Sequence, residues 1–341
     1  MRKGTKKKII IQGGVFLGIL AITITCVLRN YSPMQIQETI KETSTAWLLT
    51  ALLSMSIYFV FEGVNITRGL RLTGNRGNVL QGIKYVAVGF FFSSVTPSAT
   101  GGQPMQLYYM HKDRLSVGAG TLALLLEFVS YQTVTVLLAI FGLCLQREPI
   151  HQALDGNWYL LLIGIGLNFL TTMLVYLVLL FPQNADILRR FSAIEHRFGQ
   201  SLTEYQKGAA IIKANKGMMI PYYLTTMVQM LAMYSVPYFV YRSHNLSAYT
   251  WVEIVLLQAV LYVSVSALPI PGAMGISESG FTRLFKILFP TQIIGGAMVL
   301  TRGISFYFYV LVTGCISAVL MVQPNNKIIM QSNRKPAKQY T

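Results

Sequence analysis

The sequence predicts an all-α polytopic membrane protein, an inverted repeat with about six full spans and two re-entrant broken-helix hairpins. Three observations carry this. The 341 residues are 53% hydrophobic and only 12% charged, against about 25% charged in soluble domains. Several apolar runs approach the roughly 20 residues that span a bilayer as helix, and the short alternating strands of a transmembrane barrel do not appear. Finally, each half contains an apolar region interrupted by helix breakers: TPSATGGQP from Thr96 to Pro104, and LPIPGAMGISE from Leu268 to Glu278. Proline removes a backbone donor and glycine favours non-helical angles. In hydrocarbon such breaks survive only where protein or a water-filled cavity covers them.

The elements follow in order. Span one runs from about Ile9 to Leu28, behind a basic flank of Arg2, Lys3, Lys6, Lys7 and Lys8. Its apolar run is too long for a signal peptide and has no small-residue cleavage site, so it reads as an uncleaved anchor with a cytoplasmic N-terminus. YSPMQIQETIKETST places Met34, Ile36 and Ile40 among polar residues, a short amphipathic segment at the outer interface. Span two, about Ala46 to Ile66, returns inward to Arg68, Arg71 and Arg76, and TGNRGN is a turn. Val79 to Phe92 then enters, breaks at TPSATGGQP, and Met105 to Met110 leaves before HKDR. The arm is too short for a full span, and HKDR is basic, so this segment reads as a hairpin opening to the cytoplasm.

Val117 to Leu145 crosses outward with Glu127 inside it, and Trp158 to Phe181 returns. Residues 182–217 form the longest polar stretch. Ile187, Leu188, Phe191, Ile194 and Phe198 have helical spacing there, as in a helix on the inner membrane surface, with a plain solvated linker as the alternative. Met218 to Tyr241 crosses outward with Pro237 as a kink. Val252 to Ala267 enters, breaks at LPIPGAMGISE, and Phe281 to Leu288 leaves to the same, outer side. The last span, about Ile293 to Met321, carries Arg302 and ends inside. One transmembrane domain over 9–322 thus lies between a basic N-terminus (1–8) and a basic tail (323–341). Its repeat halves, 9–181 and 218–322, are joined by the linker, and the hairpins open to opposite sides, as an inverted repeat requires. Counting each hairpin arm separately gives eight to ten helices with the same physics.

The net charge of +16 sits in loops and termini. It suits anionic lipid headgroups and the inner leaflet rather than nucleic acid. Cys26, Cys144 and Cys315 lie in apolar spans without metal or redox spacing and are expected as buried thiols. No cofactor, metal or hydrolase fingerprint occurs in its required context.

The candidate chemistry lies at the breaks and the intramembrane charges. Broken helices near the midplane free backbone groups for polar ligands, and half-helix N-termini suit phosphate. Thr96, Pro97, Pro104, Pro269 and Pro271 shape the hairpins. Gly101, Gly102, Gln103, Gly272 and Gly275 bring backbone and amide close to a ligand; the bland reading is a tight hairpin without one. Intramembrane charges usually face the protein interior. Glu62 and Glu253 lie near span ends, where reaching the interface is the alternative to facing the interior and the one expected. Glu127 and Arg302 each fall 25 to 30 residues after their own hairpin glycines, equivalent in the repeat and opposite in sign. The expectation is an ion pair of Arg302 with Glu127 or Glu278, either purely structural or part of a substrate path.

The forms TPxxxGGxP (Thr96, Pro97, Gly101, Gly102, Pro104) and PxPGxxGxxE (Pro269, Pro271, Gly272, Gly275, Glu278), followed by spans with Glu127 and Arg302, resemble the membrane domain of the lysylphosphatidylglycerol synthase/flippase family over residues 9 to 322. The resemblance implies a multi-pass bacterial inner-membrane protein with both termini cytoplasmic. It further implies handling of phosphatidylglycerol or its lysyl ester among the membrane lipids, with effects on surface charge and cationic-peptide resistance. Full-length members add a cytosolic aminoacyl transferase domain; no such domain follows the last span here, so phosphatidylglycerol lysyltransferase activity is left open. The expected function is a phospholipid translocase, with Arg302 and the broken helix ends on phosphate and Glu127 or Glu278 on an amine. The alternatives are an intramembrane lipid-modifying enzyme, or a non-catalytic partner of a separate synthase; a homodimer is a further option.

Overall fold

The computed structural model describes residues 33–96, 99–146, 150, 158–185, 192–214, 216–266, 273 and 275–322. Span one, the termini, Pro97, Pro269, Pro271, Gly272, Ile187, Leu188 and Phe191 lie outside them, as do the side chains of Ile194 and Phe198. The described chain is helical: α1 Pro33–Lys41, α2 Thr45–Leu72, α3 Val79–Ser94, α4 Gly102–Lys112, α5 Val117–Leu145, α6 Trp158–Leu180, α7 Ser192–Ala214, α8 Ile220–Tyr234, α9 Val236–Ser243, α10 Trp251–Ser266, α11 Ile276–Leu284, α12 Ile294–Arg302 and α13 Phe308–Val322. A π turn, Gly303–Tyr307, joins α12 to α13, so Ile294–Met321 is one continuous apolar rod. Among the described residues, four helical stretches are long and apolar enough to cross a membrane: α2, α5, Leu161–Leu180 and Ile294–Met321. At 16 residues, α3 and α10 rise about 24 Å, less than the ~30 Å hydrocarbon core.

α2 and α5 form the centre. α2 packs on α3, α5, α8 and α9, and α5 also packs on α6, α7 and α10. Small residues set the closest approaches. A Cβ on Gly82 would run into the Gly63 carbonyl of α2, and one on Gly69 would meet Ala123 of α5. Side-chain caps start the helices: Asn78 accepts from the Gln81 N–H at 2.7 Å and Ser116 from that of Ala119 at 3.1 Å. Thr250 and Glu253 form a reciprocal capping box on α10, so Glu253 serves a helix end, in keeping with its expected place near the interface.

The first broken stretch is an antiparallel helical hairpin. Lys84 at the start of α3 pairs with Asp113 at the end of α4, and Tyr85 donates to the same carboxylate at 2.7 Å. Further in, Gly89 faces Gln106, and nearest the tip Ser93 faces Gly102. In the second stretch, Leu261 and Val265 of α10 meet Gly280 of α11, and Leu256 and Leu288 share a wall at its mouth. The two mouths lie at opposite ends of α5. The first is four residues before Val117. The second touches the far end of the helix, where Gln146 donates to the Glu253 carbonyl at 2.7 Å and Gly142 meets the Leu256 carbonyl. The rod from Ile294 runs between these ends: Gly296 packs on Thr39 of α1, and the Leu320 carbonyl accepts from Lys112 at 3.4 Å.

Several expectations need correction. α2 runs past Ile66 to Leu72, so Arg68 and Arg71 lie within the helix. The expected span from Met218 to Tyr241 is two helices separated at Ser235. Pro237 carries no N–H and fits only the first turn of a new helix, while the Ser235 hydroxyl satisfies the Leu231 carbonyl at 2.6 Å. The described part of α7 packs Tyr205, Ala209 and Ile212 in a buried cluster with Leu122 and Leu126 of α5. Cys144 and Cys315 are exposed, because they occupy the outward faces of apolar helices, where a small hydrophobic thiol suits hydrocarbon as well as a protein core.

The opposed mouths give a direct prediction. In a background lacking the native cysteines, His111→Cys and Gln292→Cys should react with a membrane-impermeant thiol reagent from opposite sides of sealed vesicles. Labelling of both from one side would contradict the arrangement.

Candidate functional site

The two hairpin tips meet the middle of α5 around one cavity of about 700 Å³, within the range of small-molecule sites. Ala99, Thr100, Gln103 and Pro104 line it from the first tip, and Ala273 and Ser277 from the second. Among the described residues its acidic and basic groups are Glu62 of α2, Glu127 of α5 and Arg302 of α12, and much of the remaining wall is aromatic, including Tyr58, Phe90, Tyr131, Tyr262 and Phe306. A smaller cavity of about 350 Å³ at the second mouth contains only Glu253 as a charged group, and that carboxylate is committed to its capping box.

The second tip is organised by Glu278, at the third position of α11. Its Oε2 accepts from the Gly275 N–H at 2.6 Å and from the Ser277 hydroxyl at 3.1 Å. Its Oε1 accepts from Arg302 Nε at 3.0 Å and from the Tyr307 hydroxyl at 2.9 Å. One carboxylate thus caps a broken helix and ties it to the last rod. Gly275 sits at φ +80°, in the left-handed region that glycine enters without penalty. The Arg302 guanidinium lies 4.5 Å from the Phe306 ring centre and 5.7 Å from that of Tyr307. The π turn that begins at Gly303 brings both rings into place beneath it, a local distortion common at functional positions.

The first tip uses hydroxyls instead. Thr96 donates to the Phe92 carbonyl at 2.7 Å and accepts from the Gly101 N–H at 2.9 Å. Ala99 has φ +55°, and Cβ atoms on Gly101 or Gly102 would collide with Thr96 or Ser93. These glycines therefore close the hairpin, while Gln103 and Pro104 present their side chains to the cavity.

The two remaining carboxylates both line the cavity. Glu62 and Glu127 are in electrostatic contact, with Tyr58 beside Glu62. Tyr262 is in electrostatic reach of Glu62, Glu127 and Arg302, and its hydroxyl bonds that of Tyr131. Behind Glu127, Asn65 donates to Thr226 at 3.0 Å and to Gln229 at 3.3 Å. Thr226 donates to Ser130 at 3.1 Å.

Of the predicted residues, Glu127, Gln103, Pro104 and Arg302 line the cavity. Glu278 stands behind Arg302 as its ion-pair partner. Glu127 is not that partner, because its neighbours come from α2 and α8 rather than α12. Glu62 does not reach the interface as expected; the extension of α2 to Leu72 leaves it inside the bundle. The residues missed were Tyr58 and Asn65, on either side of Glu62 on α2, and Tyr222, Thr226 and Gln229 on α8. Their signal was present, since each set follows helical i, i+4, i+7 spacing on an apolar helix.

These features define a polytopic helical membrane protein in which two opposed hairpins converge on one polar cavity. The chain belongs to the family described as Lysylphosphatidylglycerol synthase TM region, which matches residues 9–313. It is also similar to a UPF0104 membrane protein of Archaeoglobus fulgidus, 21% identical over 318 residues, or 85% of this chain and 92% of that relative.

Removing one partner of a largely buried ion pair strands the other and costs about 3–5 kcal/mol. Glu278→Ala should show a loss of that order in detergent unfolding experiments. Arg302→Met should lose less, because Glu278 keeps its bonds to Gly275, Ser277 and Tyr307.

Proposed function

We propose that this protein is a phospholipid translocase of the bacterial inner membrane, acting on phosphatidylglycerol or its lysyl ester. The observation that carries the reading is the cavity of about 700 Å³ shared by two hairpins of opposite direction. An inverted pair of broken helices around a central site is the architecture of alternating access, in which one half rocks against the other. The cavity takes the headgroup while acyl chains stay in lipid. Arg302, set on aromatic rings and paired with Glu278 through Nε, lines the cavity with a guanidinium whose planar geometry suits phosphate. Glu127 and Glu62 offer carboxylates to an amine, which suits a lysyl ester. Gln103 and Thr100 supply neutral hydrogen-bonding groups at the first tip. The family membership supports a lipid-related membrane role, and the basic ends of α2 and α4 favour the cytoplasm for the first mouth.

The test is reconstitution. Vesicles containing the protein and a fluorescent phosphatidylglycerol should lose protection of inner-leaflet probe from an external quencher faster than protein-free vesicles. Arg302→Ala and Glu278→Gln should each slow that exchange about tenfold or more, equivalent to ~1.4 kcal/mol. Unchanged rates in both variants would defeat the reading.

A further inference from the structure

Glu62 and Glu127 both line the cavity within electrostatic reach of one another, and a phosphatidylglycerol headgroup without a lysyl amine balances neither of them. The one cation lining the cavity among the described residues, Arg302, is ion-paired with Glu278, so it balances one carboxylate outside this pair. The other titratable groups facing the pair are phenols: Tyr58 on α2, Tyr131 on α5, Tyr222 on α8 and Tyr262 on α10. Two like charges in a low-dielectric interior do not both stay ionised without a cation between them. A metal cation fits poorly. Hard cations take six or more oxygen ligands, whereas Tyr58 and Gln229 present donors to these carboxylates, and no group of three or more acidic, histidine or cysteine residues gathers among the described residues.

A second, independent feature points the same way. Gln229 is fully buried and turns its amide toward Glu127, its Nε2 lying outside ordinary hydrogen-bond geometry to any other described group. It belongs to a buried polar file that leads away from the pair. Asn65 bonds Gln229, and Arg68 donates to Asn65 Oδ1 at 2.9 Å and to the Pro221 carbonyl at 3.0 Å, near the exposed end of α2. Asn65, Thr226 and Ser130 are each 0% exposed, an unusual run of amide and hydroxyl groups for an apolar bundle, and it connects the cavity to the side where the first hairpin opens.

We propose that Glu62 and Glu127 form a proton site that couples lipid movement to the proton gradient, with the Asn65–Gln229 file as its route to the first-mouth side. This inference rests on the translocase reading. A proton from water on one side adds to a carboxylate oxygen of the pair and is released to water on the other side after the protein rocks; no covalent bond to the lipid forms or breaks. Protonation lowers the negative charge of the cavity and admits an anionic headgroup. Deprotonation restores the repulsion and expels it. Lipid and proton therefore move together.

Two measurements decide it. The first is infrared spectroscopy of the reconstituted protein through a pH titration. A protonated-carboxyl carbonyl band should persist near neutral pH in wild type and disappear in Glu127→Gln and in the Glu62→Gln/Glu127→Gln pair. Absence of the band, or its survival in both, overturns the proton site. The second is net movement of fluorescent phosphatidylglycerol under an imposed pH gradient, over protein-free vesicles. Lipid should accumulate about tenfold in the leaflet on the alkaline side, with no such bias in Glu127→Gln and none from a sodium gradient. Exchange that ignores the pH gradient, or follows sodium, refutes the coupling while leaving the translocase reading intact. If no lipid moves under any gradient, the translocase reading and the coupling fail together, and the infrared band alone decides whether the pair holds a proton.

Discussion

A helix that stops partway through an apolar bundle leaves backbone N–H groups that must find acceptors inside the protein. Glu278 solves this at the second tip with one carboxylate bound to Gly275, Ser277, Arg302 and Tyr307. Because the same group caps α11 and holds Arg302, the hairpin and the last rod are positioned together. The cavity wall follows from that joint placement. Thr96 performs the equivalent backbone service at the first tip without a charge, so the two tips are alike in architecture and different in electrostatics.

Close packing of small residues makes the opposed hairpins possible. The first closes because Gly89 admits Gln106 and Gly102 admits Ser93, and the second because Gly280 admits Leu261. Gly63 and Gly82 let α3 lie directly on α2. In a bilayer, where lipid competes equally for apolar side chains, such backbone proximity and interhelical hydrogen bonds replace the hydrophobic drive between helices. The polar contacts among α2, α5 and α8 add to this, with Asn65, Thr226, Ser130 and Gln229 joining three helices at the level of the cavity.

Much of this was legible in the chain. The apolar runs gave the helices, and the Pro- and Gly-rich breaks gave both hairpins and, with the charge distribution, their opposite directions. The ion pair of Arg302 was confined to two partners. The choice between them was hidden, because Glu127 and Glu278 are both plausible by position in the repeat, and only the turn at Gly275 and the π turn at Gly303 direct the latter toward Arg302. Glu62 was misplaced because the end of α2 was set at Ile66; six more residues of helix carry that carboxylate from the interface to the interior. Pro237 marked the place of its break, but the helix ends and restarts at Ser235 rather than bending through it.

By itself the sequence determined that this protein is a polytopic helical membrane protein with two interrupted hairpins, since hydrocarbon enforces apolar length and punishes every break in the backbone. The tertiary structure alone decided that both hairpins end on one cavity, that Arg302 belongs to Glu278, and that Glu62 and Glu127 both line that cavity. Those outcomes depend on which faces of helices far apart in the chain come together. Helical spacing puts Tyr58, Glu62 and Asn65 on one face of α2, but only packing against α5 and α8 determines what that face meets.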